Sequence, residues 1–170
     1  MPNISHMKRV IYLLAATLLL IACDQKERMA NLAEENIRQS IDNPDQMKIL
    51  AVSEPDSAFG SNYFSQKEVQ GMVMMMQKVS EEIMRRTNNM TEFNPDDRDV
   101  MFLAERQMRA MAEIRALIHE SRRKGEWSGW KVRVDYEAMN NEGLCYKAER
   151  WLFLDKDGRN VFKTFEIPIP

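Results

Sequence analysis

The 170-residue chain contains few residues of the kinds that build disulfide frameworks and metal sites. It has two cysteines and two histidines, and only Cys145 and His119 lie beyond residue 23. A structural zinc site takes four ligands, chiefly Cys, His or carboxylate, and a disulfide framework requires paired cysteines. The sequence therefore predicts no disulfide within the folded part, no metal site and no cofactor.

The chain also lacks an apolar run long enough to remain in a bilayer as a helix. Residues 10–21 are uncharged and mostly apolar, follow Lys8 and Arg9, and end at Ala22 and Cys23. A spanning helix needs about 20 consecutive apolar residues. A basic start, a short apolar run and a small residue are instead typical of a removable secretory signal. Translation of this signal could begin at Met7 instead of Met1.

The end of this run carries a more specific motif. Leu20, Ile21, Ala22 and Cys23 resemble the lipobox of bacterial lipoprotein precursors, an aliphatic residue, a tolerant position, a small residue and cysteine. The resemblance implies that a signal peptidase recognises residues 20–22 and removes residues 1–22, and that Cys23 is acylated, for example with palmitate. Several acyl chains on one residue hold a protein stably on a membrane. The alternative is an ordinary secretory signal with an incidental cysteine.

The expected mature chain consists of a lipidated N-terminus and short tether at residues 23–26, followed by one domain at 27–170. Its size is that of one domain. The full chain has 24 basic and 26 acidic residues, and loss of Lys8 and Arg9 makes the remainder more acidic. Nucleic-acid binding normally requires a basic face, so we predict no nucleic-acid partner.

Three amphipathic helices are predicted from apolar residues recurring every three or four positions. The first covers 27–41 and ends before Pro44. The second starts at Ser65, which forms a capping box with Glu68, and the third starts at Asn94 with Pro95 at its first position. The last two, residues 65–124, form a helical hairpin of ~30 and ~45 Å helices, which we expect to stand partly away from the sheet.

Strands are predicted at 48–53, 131–138, 144–155 and 161–167. In some of these segments apolar residues recur at every second position, and in others turn residues lie on both sides of a short apolar run. The predicted fold is α+β: an N-terminal helix packed on a four-stranded antiparallel sheet, with the hairpin inserted between strands 1 and 2. This order resembles a cystatin-like layout. Residues 41–45, 54–57 and 136–143 also resemble small uncharacterised lipoproteins of Bacteroidota, which favours the outer membrane over the inner membrane.

Other candidate chemistry is weaker. A Cys–His nucleophile would require Cys145 to meet His119, and the pattern gives no reason for that contact. An EF-hand calcium loop requires glycine at its sixth position. In Asp155–Asn160 the glycine is fourth, so a hairpin turn is favoured. Arg122–Lys124 beside Trp127 and Trp130 suit either a helix C-terminus or contact with acidic headgroups.

Methionine is the one unusual enrichment, with 14 in the chain. Methionines fill irregular cores and also form adaptable binding faces, and their thioethers select Cu(I). Because part of a long hairpin extends beyond a small sheet, Met84, Met90 and Met101 are predicted as an exposed partner face. We expect a non-catalytic, lipid-anchored binding or assembly accessory of the cell envelope; the alternative is a copper-binding protein or an enzyme whose residues are not recognisable.

Overall fold

The computed structural model describes residues 24–60, 63–120 and 124–170, with backbone alone for 118–120. The lipobox residues Leu20, Ile21, Ala22 and Cys23 lie outside these ranges. The described chain is α+β, as predicted, with three α-helices, a 3-10 turn at Pro44–Gln46 and one antiparallel sheet. In chain order the elements are α1, residues 24–38, β1, Lys48–Val52, β2, Asp56–Ala58, α2, Gln66–Arg86, α3, Arg98–Glu120, β3, Gly129–Met139, β4, Cys145–Leu154, and β5, Val161–Ile169.

The sheet has five strands rather than the predicted four. Its order is β1-β3-β4-β5, and β2 pairs with β3 beyond the end of β1. Pro55 separates the two short strands, because proline cannot donate a ladder hydrogen bond. Ser53 bridges the break, since its amide donates to the Arg133 carbonyl at 2.8 Å and its hydroxyl accepts from the Arg133 amide at 2.9 Å. The hairpin consequently lies between β2 and β3 in the chain.

Helix α1 covers one face of the sheet. Met29, Ala33 and Ile37 recur at four-residue steps and are fully buried, and they pack against β3 and β4 residues such as Val132 and Leu152. The helix includes residues 24–26, where the sequence predicts a tether, and it ends three residues before the predicted end at 41. The early end coincides with Ser40, whose amide and hydroxyl both donate to the Ile37 carbonyl.

The helical hairpin begins as the sequence predicts. Ser65 accepts from the Glu68 amide, and the Glu68 carboxylate accepts from the Ser65 amide at 2.7 Å, so both halves of the capping box are present. Helix α3 starts later than predicted. Residues 94–97 form a turn, and Asp97 accepts from the Val100 amide at 3.1 Å, the bond expected of an N-cap.

The hairpin, which the sequence predicts to stand partly away from the sheet, packs on it through its buried stripe. Buried residues of α2 and α3 share one core cluster with Trp151, Phe153, Phe165 and Ile167. Those four lie on the face opposite α1, because alternate residues of a strand point to opposite sides. The fold is therefore layered, with α1 on one face and the hairpin on the other face and along edge strand β5.

The connection between α2 and α3 has unusual backbone geometry. Asn88, Asn89 and Met90 have φ values of 45°, 53° and 68°. Asparagine tolerates this left-handed region, whereas methionine rarely adopts it. Buried Thr87 fixes the turn, because its hydroxyl donates to the Ile83 carbonyl at 2.9 Å and accepts from the Met90 amide at 3.1 Å.

Candidate functional site: an arginine cleft

An arginine occupies the buried stripe of α3. The stripe runs through Val100, Leu103, Arg106 and Ala110, and Arg106 is only 6% exposed. A buried guanidinium is costly unless it is paired and hydrogen-bonded. Arg106 meets that requirement by reaching past edge strand β5, where it donates to the Glu166 carboxylate at 2.6 Å and to the Lys147 carbonyl at 3.2 Å.

A second arginine approaches the same carboxylate from β4. Arg150 and Glu166 are directly opposite in the β4–β5 register, so their side chains point to the same face of the sheet. Arg150 donates to Glu166 at 2.6 Å and is 13% exposed. Its guanidinium also contacts the hydroxyl of Ser40, just after α1. One carboxylate therefore joins α3, β4 and the end of α1.

Two tyrosines complete the floor of this site. The buried Tyr136 hydroxyl donates to Glu166 at 2.5 Å and accepts from Arg150 at 3.0 Å. The Arg106 guanidinium lies 4.3 Å from the centre of the Tyr146 ring, within the range of a cation–π contact. The guanidinium groups are thus held in place by rings as well as by charge.

These contacts set the protonation states of the floor. Burial acts to raise the pKa of Glu166, but Arg106 and Arg150 outweigh it and hold that pKa below its ordinary value. Burial, together with the Glu166 charge, raises the pKa of Tyr136. At neutral pH the floor therefore holds one carboxylate, two neutral phenols and two guanidinium cations, a surplus of one positive charge.

The floor opens into a cleft of about 380 Å³ between α3, the end of α1 and the β4–β5 edge. We call it the arginine cleft. Its rim carries charges of both signs, with Arg109 and Glu113 from α3 and Asp42 from the segment after α1. A guanidinium has five N–H donors. Arg106 uses two of them on acceptors within the described residues, so donors remain for a ligand that offers oxygen atoms.

A second charged cluster lies on the opposite face, beneath the start of α2. Lys131 is 4% exposed in its side chain and pairs with Glu68 at 2.5 Å. Beside it, Glu149 accepts from the Trp151 indole at 2.7 Å and lies 3.7 Å from Arg133. We call Lys131, Arg133, Asp135, Glu68 and Glu149 the carboxylate cluster. Burial raises the pKa of both Glu149 and Asp135.

None of the described candidate site residues from the sequence lines the arginine cleft, although Met101 and Cys145 adjoin its lining residues Phe102 and Tyr146. Met84, Met90 and Met101 flank the α2–α3 connection with exposures of 42%, 49% and 39%, and their role as a partner face stays a prediction. Cys145 is exposed at the start of β4 and is a free thiol. Asp155 caps the β4–β5 turn, accepting from the Arg159 amide at 2.8 Å, as a hairpin turn requires. The side chain of His119 and residues Arg122 and Arg123 lie outside the described residues.

Sequence reasoning missed Arg106, Arg150 and Glu166. The available signal was Arg106, which falls on the buried stripe of α3 where a sequence pattern expects an apolar residue. Met108, an apolar residue of the same helix, is by contrast 68% exposed. Arg150 and Glu166 gave no comparable signal, because their meeting depends on the β4–β5 register.

Comparison of the chain with protein-family models, with curated proteins and with solved structures found no match. Within the described residues, no helix combines the length and apolarity needed to cross a bilayer. The same residues hold no group of three or more His, Cys, Asp or Glu side chains arranged for a metal ion. The observations that point to a function are therefore the arginine cleft and the lipobox motif that precedes the folded domain.

Proposed function

We propose that the chain is a lipid-anchored protein of the cell envelope, held on the outer membrane through Cys23, whose folded domain is a non-catalytic binding accessory. The lipobox at Leu20–Cys23 supports the anchor. The arginine cleft supports binding, and its ligand is a small anion bearing carboxylate or phosphate oxygens. For the fold, we propose the cystatin-like arrangement of α1 and sheet, with the hairpin as an insertion.

The single observation that carries the binding proposal is the charge imbalance of the cleft floor. Two nearly buried guanidinium groups face one carboxylate, and the Tyr136 phenol adds no charge. Arginine presents a planar fork that matches carboxylate and phosphate geometry. An anion entering the cleft would balance the surplus cation and accept the remaining N–H donors.

The protonation states favour binding over catalysis. A general base works best with a pKa near the operating pH. The pKa of Glu166 is lowered, and its oxygens already accept bonds from Arg106, Arg150 and Tyr136. The Tyr136 phenol has a raised pKa and stays protonated. The floor groups are therefore fixed donors and acceptors rather than carriers of a mobile proton.

The ligand proposal is tested by isothermal titration of the purified protein with inorganic phosphate and with succinate. Arg106→Lys keeps the charge but loses the fork, and it should weaken binding of the better ligand about tenfold or more. At the rim, Arg109→Gln should weaken binding a fewfold and Glu113→Gln should strengthen it by a similar factor, about the size of one exposed charge interaction.

Arg115→Gln is the matched control, because Arg115 is also exposed on α3 and does not line the cleft. It should leave both dissociation constants unchanged. Equal effects of Arg109→Gln and Arg115→Gln would mean that the anion responds to overall charge, and the cleft would lose its role. Absence of heat with either probe, confirmed by unchanged melting temperature, would also contradict the proposal.

The anchor has its own test. Cys23→Ala removes the sulfur that would receive the diacylglyceryl group, so the variant should stay unprocessed or become soluble. Detergent partitioning and the mass of the N-terminal peptide report this directly. A mature-sized Cys23→Ala band that still partitions into detergent would contradict the assignment. Density-gradient separation of the two membranes tests the outer-membrane placement.

A further inference from the structure

Two exposed aromatic rings lie at one end of the sheet, and a third lies at the hairpin connection. Three large aromatic side chains are exposed within the described residues: Phe93 at the hairpin connection, Trp127 and Phe162. Trp127 packs against Trp130, with ring centres 5.9 Å apart, and Trp130 is opposite Leu154 in the β3–β4 register. Leu154 also pairs with Val161, the neighbour of Phe162. Trp127 and Phe162 are therefore at the same end.

The β4–β5 turn joins this aromatic group. The Trp130 indole donates to the Lys156 carbonyl at 3.1 Å, and the Lys156 ammonium lies 5.5 Å from the centre of the Trp127 ring. Phe59, beyond β2, carries a similar contact, with the Lys124 ammonium 3.8 Å from its ring centre. Tryptophan and other aromatic rings flanked by lysine are typical of side chains at a membrane–water interface.

The first turns of α1 lie on the same end. Arg28 donates to the Asp157 carbonyl at 3.2 Å. Met29 fills the space beside Gly158 so closely that a Cβ there would approach the Met29 sulfur to 2.7 Å. Residue 24, the first described, is already helical. Cys23 precedes it by one peptide unit, and consecutive Cα atoms are about 3.8 Å apart, so an acyl group on Cys23 would be attached at the N-terminus of α1, the end of that helix nearer the β4–β5 turn.

Among the described residues around these rings the exposed charges cancel. Five of them are cations and five are carboxylates: Lys26, Arg28, Lys124, Lys156 and Arg159 against Asp24, Glu27, Glu54, Glu126 and Asp157. A cluster of about 4–8 basic residues without compensating acids is the usual mark of binding to acidic lipids. The mixed charges here indicate that burial of aromatic rings contributes more to membrane contact than attraction to anionic headgroups does.

We propose that this end of the domain lies on the bilayer, with Trp127 and Phe162 at headgroup level. We call it the aromatic end. The inference rests on the proposed acyl anchor at Cys23, because the anchor is what brings the aromatic end to the membrane. It adds an orientation: the hairpin connection with Phe93 points away from the bilayer, and the arginine cleft opens beside the sheet rather than against the lipid.

The experiment uses the purified mature protein reconstituted in phosphatidylcholine vesicles that contain brominated acyl chains. Bromine quenches indole fluorescence at contact range. We expect quenching in the wild type, with most of it lost in Trp127→Phe, since Trp151 is buried beneath the hairpin and Trp130 is less exposed than Trp127. Phe162→Ser should reduce the quenching of Trp127, whereas Phe93→Ser, the matched change at the hairpin connection, should not.

The intact mass of the same sample separates the two proposals. Acylated protein without quenching contradicts the aromatic end and leaves the anchor standing. Protein that lacks acyl groups contradicts the anchor and this inference with it. Quenching that appears only when phosphatidylglycerol is added would show that charge drives the contact, which would overturn the role given to Trp127 and Phe162. Unchanged melting temperatures of the variants exclude unfolding as the cause.

Discussion

The arginine cleft and the carboxylate cluster lie on opposite faces of the same strands. Glu149 and Arg150 are consecutive residues of β4, and alternation sends Glu149 toward the hairpin and Arg150 toward α1. On one face two arginines surround one carboxylate. On the other, Lys131 and Arg133 meet Glu68, Glu149 and Asp135, so acids are in excess.

The two clusters resolve their surplus charge in different ways. Surplus carboxylates can bind a proton, and burial raises the pKa of Glu149 and Asp135 accordingly. Guanidinium groups stay charged at every ordinary pH. The floor of the arginine cleft therefore keeps its surplus positive charge at every ordinary pH, while its rim, with Asp42, Glu113 and Arg109, carries one more acid than base. This difference is the physical reason for choosing the cleft, rather than the carboxylate cluster, as the binding site.

The largest expected effect is that of Glu166→Gln. The substitution removes the charge that Arg106 and Arg150 share and leaves two nearly buried cations together. Breaking a buried ion pair from one side costs roughly 3–5 kcal/mol, and the partial exposure of Glu166 places the expected loss near the lower limit. Urea unfolding at pH 7 measures the change in the free energy of unfolding.

Glu82→Gln is the matched control for this prediction. Glu82 also bonds two arginines, Arg85 and Arg86, but these are surface partners within one helix. Such pairs contribute about 0.3–0.5 kcal/mol each. A loss in Glu166→Gln no greater than that in Glu82→Gln would show that Glu166 contributes no more than a surface ion pair, which would contradict the prediction.

The second prediction concerns the pH dependence of Glu166. Its folded pKa is below the ordinary value of 4.5, so its contribution to stability is complete above that pH and is lost as the pH falls through the folded value. The difference in unfolding free energy between wild type and Glu166→Gln should therefore shrink below pH 4.5. A difference that is constant from pH 7 to pH 3 would contradict the lowered pKa.

Glu149→Gln should raise the free energy of unfolding, by less than Glu166→Gln lowers it. The folded pKa of Glu149 is raised by burial, so its ionised form costs stability at neutral pH, and the cost disappears as the pH falls below 4.5. Glutamine retains an acceptor for the Trp151 indole. We expect a gain of less than about 1 kcal/mol at pH 7, absent at pH 4. Denaturant unfolding at both pH values checks it, and destabilisation at pH 7 would argue against it.

The smallest expected effect on stability is at the hairpin connection, which carries neither cluster. Met84→Glu and Met101→Glu place charges on side chains that are already exposed, so the melting temperature should stay nearly constant. If these residues form the predicted partner face, self-association or partner capture should be lost, as sedimentation velocity would show. Unfolding of the domain in these variants would instead show that Met84 and Met101 are core residues.

Local rules explain which features were predictable. Ser65 and Glu68 form a cap because both lie within one turn, and the period of two in residues 131–138 identifies β3. The fifth strand was missed because β2 has three residues and pairs with β3 more than seventy residues later. The arrangement of the hairpin on the sheet was missed for a similar reason, since periodicity shows which residues are buried but not the surface that covers them.

The sequence by itself determined the α+β class, the helical hairpin, the capping box and the strand order of the meander, because each depends on residues close together in the chain. Tertiary structure alone decided the arginine cleft. Arg106, Tyr136, Arg150 and Glu166 come from α3 and three strands, and they meet only through the β3–β4–β5 register and the packing of α3 along β5. Strand register and helix packing are long-range properties that depend on the whole core, so no short stretch of sequence encodes them.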